Sequence, residues 1–402
     1  MKPIVRARRM KPVHSDIRGP LFVEAMKRQK QGIDILKLNT GNPATFGFGL
    51  PDSIKNALME HMQDGVGYCD FKGMPQARQA ICDYETSKGI KGITSDDVFI
   101  GNGVSEVVSF ALTPLLNDGD EVLVPSPSYS LWGNSVYLED GKPVFYTCDE
   151  QANWYPDIQD IRSKITDKTK AIVIINPNNP TGVLYPKEIL LEIIQVAREF
   201  GLLIFADEIY DRLVMDGKQH ISLASLTEDV PVITLNGLSK SHCLCGYRCG
   251  WMVISGPREL TEDYRQGIIQ LTSLRLCANT LAQIVIPAAL DDMETPASMV
   301  RPGGRIYEQR EATVRELEKI DGLSFVKNDA AFYVFPKLDV KKFNITNDKQ
   351  FAHDLLDVTN ILLVPGSGFD WKDPDHFRIV MLPQADILSD AIRRMGTFLD
   401  GY

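Results

Sequence analysis

Three side chains of useful chemistry stand just past the ends of short apolar runs, an asparagine, an aspartate and a lysine, and an arginine follows the lysine. Asn236-Gly237-Leu238-Ser239-Lys240 follows the run Val232–Leu235, and Arg248 comes eight residues after the lysine. A lysine just past a buried strand can have a lowered pKa and act as a nucleophile that forms a Schiff base. Ser239 and Arg248 beside it suit an anion such as phosphate. Asp207-Glu208-Ile209-Tyr210 follows Leu202–Ala206. A carboxylate there is costly to bury alone, so Asp207 is expected to face a cation or a protonated nitrogen; a magnesium ligand or a helix cap are the other readings. Asn176-Pro177-Asn178-Asn179-Pro180-Thr181-Gly182 follows Ala171–Ile175 and reads as a stiff turn whose four polar groups contact a ligand. Gly101-Asn102-Gly103-Val104-Ser105-Glu106 follows Val98–Ile100 and opens a helix, which offers free backbone N–H groups to a phosphate. It is neither a dinucleotide fingerprint, because Glu106 takes the third glycine position, nor a Walker loop, because no G-K-S/T follows.

The elements that must position these groups alternate from Asp96 to Ser255. Apolar runs rich in Val, Ile and Leu read as buried parallel strands, and amphipathic stretches such as Val104–Leu116 and Lys187–Phe200 read as helices between them. In such sheets ligands lie beyond the carboxyl ends of the strands. Val326–Phe335, Ile361–Val364 and Phe377–Met381 are further strand candidates in a smaller α+β unit, and Pro296–Gly304 reads as the junction to it. The expected organisation is a large domain over residues 50–295 and a small one built from residues 1–49 and 296–402.

Composition bounds the function. The chain has 402 residues, 44% hydrophobic and 24% charged, which is enough apolar surface for a folded core. A net charge of −10 argues against nucleic acid, and no apolar run is long enough to span a membrane. Met1–Lys11 carries five basic groups but lacks the apolar run of a secretory signal. Seven cysteines without such a signal point to a reducing cytoplasm. Cys243, Cys245 and Cys249 cluster near Lys240, yet their spacing is not that of a zinc site, so no metal is expected.

Taken jointly, the phosphate cradle, Tyr129, the Asn turn, Asp-x-x-Tyr, Lys and Arg suit a phosphorylated, protonated aromatic aldehyde, and pyridoxal phosphate is one. N-P-N-N-P-T-G, A-D-E-I-Y and S-K followed by G-Y-R-x-G resemble the fold-type I, class I/II aminotransferases over essentially the whole chain. D-I-R-G-P at Asp16–Pro20, L-N-T-G-N-P at Leu38–Pro43 and L-C-A-N at Leu276–Asn279 resemble the bacterial alanine (glutamate–pyruvate) branch. The resemblance implies a seven-stranded, mostly parallel sheet with a smaller α+β domain, and a homodimer with shared active sites. It implies pyridoxal 5'-phosphate bound through Lys240, with Asp207 on the pyridine nitrogen, Tyr210 and Asn179 on the ring hydroxyl oxygen and Tyr129 stacked on the ring. Ser239, Arg248 and the backbone at Val104 and Ser105 would hold the phosphate, Tyr68 would reach the partner subunit's phosphate, and Asn279 would act similarly. Arg378, with Asn179 and the Gly41 backbone, would grip the substrate α-carboxylate. Arg18 would take the distal carboxylate of glutamate. Two positions depart from relatives: Gly237 stands where many have serine, and Ser15, preceded by His14, stands where close relatives have tyrosine.

The implied activity is ping-pong transamination between L-alanine/pyruvate and 2-oxoglutarate/L-glutamate, with Lys240 also as general base. The alternatives are an aminotransferase for aromatic, branched-chain or diaminopimelate donors, a carbon–sulfur lyase, or a non-catalytic cofactor-binding regulator.

Overall fold

Val, Ile and Leu runs buried on both faces build the centre of the molecule. The computed structural model describes residues 2–402. In chain order its strands are β1 (Leu36–Lys37), β2 (Val98–Asn102), β3 (Glu121–Ser126), β4 (Lys142–Asp149), β5 (Tyr155–Pro156), β6 (Thr169–Ile175), β7 (Leu203–Asp207), β8 (Val232–Gly237), β9 (Cys249–Ser255), β10 (Leu323–Ser324), β11 (Tyr333–Val334), β12 (Lys337–Leu338), β13 (Ile361–Leu362), β14 (Val364–Pro365) and β15 (Phe377–Val380).

The main sheet has the order β2-β9-β8-β7-β6-β3-β4-β5. Only β9 and β5 run against the rest. The expected seven strands are present, and the eighth is the two-residue edge strand β5. Along β6, Ala171, Val173 and Ile175 enter the core on one face, with Trp132 and the helices Val104–Leu112 and Arg258–Arg275. Ile172 and Ile174 enter the core on the other, with helix Lys187–Phe200. This is the side-chain alternation of a strand covered on both sides.

Register places every motif at one edge. β6, β7 and β8 are parallel neighbours, with Ile175 opposite Asp207 and Asp207 opposite Leu235, so the Asn turn, Asp207 and Lys240 leave the sheet side by side. Gly101 and Gly237 both pair with Gly250, so the loop that opens at Gly101 and the residue Arg248 lie on that same edge.

A second, smaller set of strands joins the two ends of the chain. β11, β15 and β14 form one antiparallel sheet, and β1 pairs in parallel with β13, Leu36 opposite Ile361. Leu38, Leu355, Phe377, Ile379, Leu388 and Met395 share its core. Three local expectations change. The helix expected to reach Leu116 stops at Leu112. Most of the Pro296–Gly304 junction is helical, since helix Glu294–Val300 runs into it and only the residues from Arg301 to Gly304 form a turn. Proline is tolerated in the first turn of that helix because its missing N–H would have no partner there. Of Val326–Phe335 only Tyr333–Val334 is strand. Among the described residues no helix is long and apolar enough to cross a membrane.

Candidate functional site

Asp207 ends β7 and is 5% exposed. Trp132 Nε1 donates to its Oδ2 at 3.1 Å, and the Ile209 amide lies 3.4 Å from its Oδ1. Among the described residues it forms no ion pair. Burial pushes its carboxyl up to about 6, against the pull of these two donors, with Glu208 adding to the rise. The side chain therefore neither caps a helix nor meets a cation of the protein, and it stands ready for a ligand with a positive edge.

Lys240 lies in the single turn Leu238–Ser241 that follows β8. Its Nζ donates to the Gly41 carbonyl at 2.9 Å and sits 4.0 Å from Cys245 Sγ. The expected lowered pKa is corrected here: burial pulls the ammonium down, but Tyr333, Cys245 and Tyr129 together outweigh it and leave the group above its ordinary value. Gly41 brings this carbonyl close because it has no side chain; a Cβ there would collide with the Tyr333 hydroxyl and the Phe332 ring. Cys243 and Cys249 are thiols that burial pushes up to about 12, which fits packing roles.

Arg378, on β15, is 1% exposed between the rings of Tyr333 and Phe369, 4.6 and 4.7 Å from its guanidinium carbon. Nη1 donates to Asn179 Oδ1 at 2.9 Å and Nη2 to the Asn39 carbonyl, while buried Nε has no partner among the described residues. The stiff turn uses its polar groups unequally. Asn176 Oδ1 accepts from the Tyr185 amide at 2.8 Å, and Asn178 Oδ1 accepts from Thr181 Oγ1 at 3.0 Å. Three of the four groups expected to contact ligand thus brace the turn or one another, and Asn179 alone reaches the arginine. The Tyr210 hydroxyl meets that of Tyr333 at 2.9 Å.

The anion end is a helix start without a side-chain cap. Gly103, with φ of 83°, precedes helix Val104–Leu112, so the Val104 and Ser105 amides open outward. Arg248 packs its guanidinium on Gly103 and donates to the Cys245 carbonyl at 2.9 Å. Ser239 is buried at the start of the lysine turn. Glu106 turns away: its carboxylate takes the Asn102 amide at 2.7 Å and Arg275 Nη1 at 2.6 Å. The glycine at position 237 is explained by backbone approach, since a Cβ there would lie 2.5 Å from the Cys249 carbonyl oxygen.

The outlying positions differ in state. Tyr129 is half-buried and flanks Lys240 and Arg378. Tyr68 is 84% exposed. Asn279 caps helix Thr280–Ile284 through a bond from the Leu281 amide at 3.1 Å, and its own amide donates to Asn102 Oδ1 at 2.8 Å. Arg18 is exposed and, among the described residues, unpaired; the Ile17 carbonyl before it accepts from Asn39 Nδ2 at 2.8 Å, and Asn39 is the residue whose carbonyl holds Arg378. Among the described residues one group has the spacing of metal ligands, Glu208, Asp211 and His220. Lys88 Nζ fills it, 2.8 Å from Glu208 and 3.3 Å from Asp211.

Sequence reading missed Trp132, Tyr333 and Asn39. The only signal for Trp132 was its place three residues after Tyr129 in a polar stretch.

Likeness to known proteins covers the same ground. A family model described as aminotransferase class I and II matches residues 33–392. Glutamate-pyruvate aminotransferase AlaA of Haemophilus influenzae is 49% identical over 402 residues, 100% of each chain. An alanine aminotransferase of Mycobacterium tuberculosis is 45% identical over 100% of this chain and 94% of its own. Among solved structures, an aminotransferase from Escherichia coli matches with a TM-score of 0.98 at 47% identity, over 100% of this chain and 99% of that one. Alanine aminotransferase from Pyrococcus furiosus matches with a TM-score of 0.94 at 40% identity, over 99% and 100%. With the lysine, the aspartate and the arginine gathered at one sheet edge, these likenesses place the enzyme: the chain belongs to the class I and II aminotransferases.

Proposed function

We propose that this enzyme is a pyridoxal 5'-phosphate-dependent transaminase that moves an amino group between L-alanine/pyruvate and 2-oxoglutarate/L-glutamate. The names of the 45–49% identical relatives support the substrate pair. The observation that carries the cofactor is a buried carboxylate without a cationic partner, Asp207, one strand away from a largely buried lysine, Lys240. The residues fit the group: an uncapped helix start with Arg248 and Ser239 for a phosphate, and Asp207 for a protonated ring nitrogen. When bound, the cofactor supplies an aldehyde for an amine and a protonated ring that takes up the electron pair left at the substrate Cα.

The chain's own residues do the rest. Asp207 keeps the ring nitrogen protonated. Tyr210 and Asn179 retain donors for the ring hydroxyl oxygen after bonding Tyr333 and Arg378. Tyr129 covers the ring. The α-carboxylate of the substrate takes the free donors of Arg378, including its unpartnered Nε. Lys240 Nζ, as a free amine, would take the proton from the substrate Cα and deliver it to the carbon that bears the cofactor's aldehyde. The two halves of the cycle use the same groups in reverse order, which gives ping-pong kinetics. Arg18 meets the distal carboxylate of glutamate, next along the chain to the Ile17–Asn39–Arg378 linkage.

A homodimer completes the site. Met62, Val66, Tyr68, Leu274 and Leu276 are exposed by 52%, 76%, 84%, 82% and 53%, and these apolar side chains suit burial against a second copy of the chain. Tyr68 on this surface suits a reach to the partner's phosphate, with Asn279 near the same loop.

The test is spectroscopic and kinetic. Added pyridoxal phosphate should give the full chain a visible absorbance band that L-alanine removes. Lys240→Ala should still bind the cofactor and show no measurable turnover; near-normal turnover would refute the assignment. Arg18→Ala should weaken glutamate about tenfold to a hundredfold and alanine little. Equal losses would make Arg18 structural.

A further inference from the structure

Trp132 gives Asp207 its one side-chain hydrogen bond among the described residues. It stands on helix Leu131–Leu138, three residues after Tyr129, and is 0% exposed. Its indole packs on Phe205, two residues before Asp207 on β7, with ring centroids 5.4 Å apart. One side chain therefore touches the strand and the functional group at its end. The two carboxylate oxygens become inequivalent. Oδ2 is committed to the indole at 3.1 Å, and Oδ1 has only the long contact to the Ile209 amide at 3.4 Å.

The donor type matters. An indole N–H donates and never accepts, and it does not titrate. Its bond therefore favours the ionised carboxylate at every pH, unlike a histidine, whose protonation would change the bond. It does so inside an apolar wall that acts in the other direction. We propose that Trp132 is a positioning residue for transamination: it selects Oδ1 as the oxygen offered to the cofactor's ring nitrogen and holds the Asp207 carboxyl ionised before the cofactor arrives. The proposal rests on the reading of Asp207 as the partner of that nitrogen. The other groups that face Asp207 are Glu208, which opposes its ionisation, the Ile209 amide, which favours it, and the Tyr210 hydroxyl.

Trp132→Phe keeps the aromatic body and removes the donor. The first readout is thermal melting of the cofactor-free full chain at about pH 5 and about pH 8. Without the indole the carboxyl pKa climbs, and the ionised form present at the higher pH is left with the Ile209 amide alone. The variant should lose more stability against wild type at the higher pH than at the lower. In an Asp207→Asn background, which has nothing to ionise, the two losses should be equal. The second readout is the dissociation constant for pyridoxal phosphate, expected to weaken about tenfold to a hundredfold at the higher pH. The third is steady-state kinetics: kcat should fall while KM for the amino acid stays near the wild-type value, because the α-carboxylate contact is untouched. A stability loss equal at both pH values, with normal cofactor binding, would overturn the proposal and leave the indole a space-filler. Failure of the wild-type chain to bind pyridoxal phosphate would overturn the proposal together with the reading beneath it.

Discussion

The hydroxyls of Tyr210 and Tyr333 meet at 2.9 Å, and this contact joins the turn after β7 to β11 of the smaller sheet. Both side chains are buried, at 3% and 2% exposure, and burial beside Tyr333 holds the Tyr210 phenol far above its ordinary range, so it stays neutral. Tyr333→Phe should cost about 1–3 kcal/mol by leaving the Tyr210 hydroxyl unpaired. The double variant with Tyr210→Phe should cost less than the sum of the single ones. Denaturant unfolding of the three variants measures this coupling.

Arg378 is held by Asn179 and Asn39 and walled by two aromatic rings, so its planar fork is set before a substrate arrives. Lysine has the charge without the fork. Arg378→Lys should raise KM for alanine and for glutamate alike, by about tenfold to a hundredfold, since both share the α-carboxylate. A rise for glutamate alone would reassign Arg378 to the distal group.

Gly237 invites substitution by the serine that the resemblance leads one to expect there. The clash at that position is with a backbone oxygen, 2.5 Å from the new Cβ, so no side-chain rotation relieves it. Gly237→Ser should destabilise the chain by about 1–3 kcal/mol and improve neither cofactor affinity nor turnover. Melting and cofactor titration of the variant check both parts.

His14 forms an ion pair with Asp370 at 3.4 Å, and its amide donates to Asn134 Oδ1 at 3.1 Å. The bond to Asp370, opposed by partial burial, with the Pro12 carbonyl and Asp16 assisting, raises its pKa to about 8. A raised histidine stabilises the fold fully below its unfolded value near 6.5, and that contribution is lost as pH rises through about 8. Allowing for solvent screening, it is worth on the order of 1 kcal/mol. Thermal melting should show wild type ahead of His14→Gln at about pH 6 and nearly level with it at about pH 9.

Much of the site could be read from residue order because the strand ends carry it. Asn179, Asp207 and Lys240 each lie within five residues of the end of an apolar run, and the parallel register of β6, β7 and β8 then sets those strand ends side by side. What escaped was what only tertiary packing creates. Trp132 looks like core until the sheet brings Asp207 to its N–H. Tyr333 and Asn39 sit in segments far from the lysine in sequence, and nothing local marks them as neighbours of Arg378 and Gly41. The turn 176–182 misled in the other direction, because asparagines that brace a backbone look the same in sequence as asparagines that face a ligand. The eighth strand was invisible because two residues carry no periodicity.

The pairing of Leu36 with Ile361 sets a timetable for synthesis. All eight strands of the main sheet have left the ribosome once Ser255 is out, whereas β1 must wait for β13. At ordinary elongation rates the stretch from Ser255 to Ile361 takes about 5 to 20 seconds to make. Lys240 and Asp207 can thus be in place while Gly41, the carbonyl that accepts from the lysine, is still tethered to an unpaired segment and Arg378 has not been made. A nascent chain can therefore assemble the cofactor's seat before it has a grip for any amino acid, and competence for substrate arrives in one late step, when the first and last parts of the polypeptide find each other.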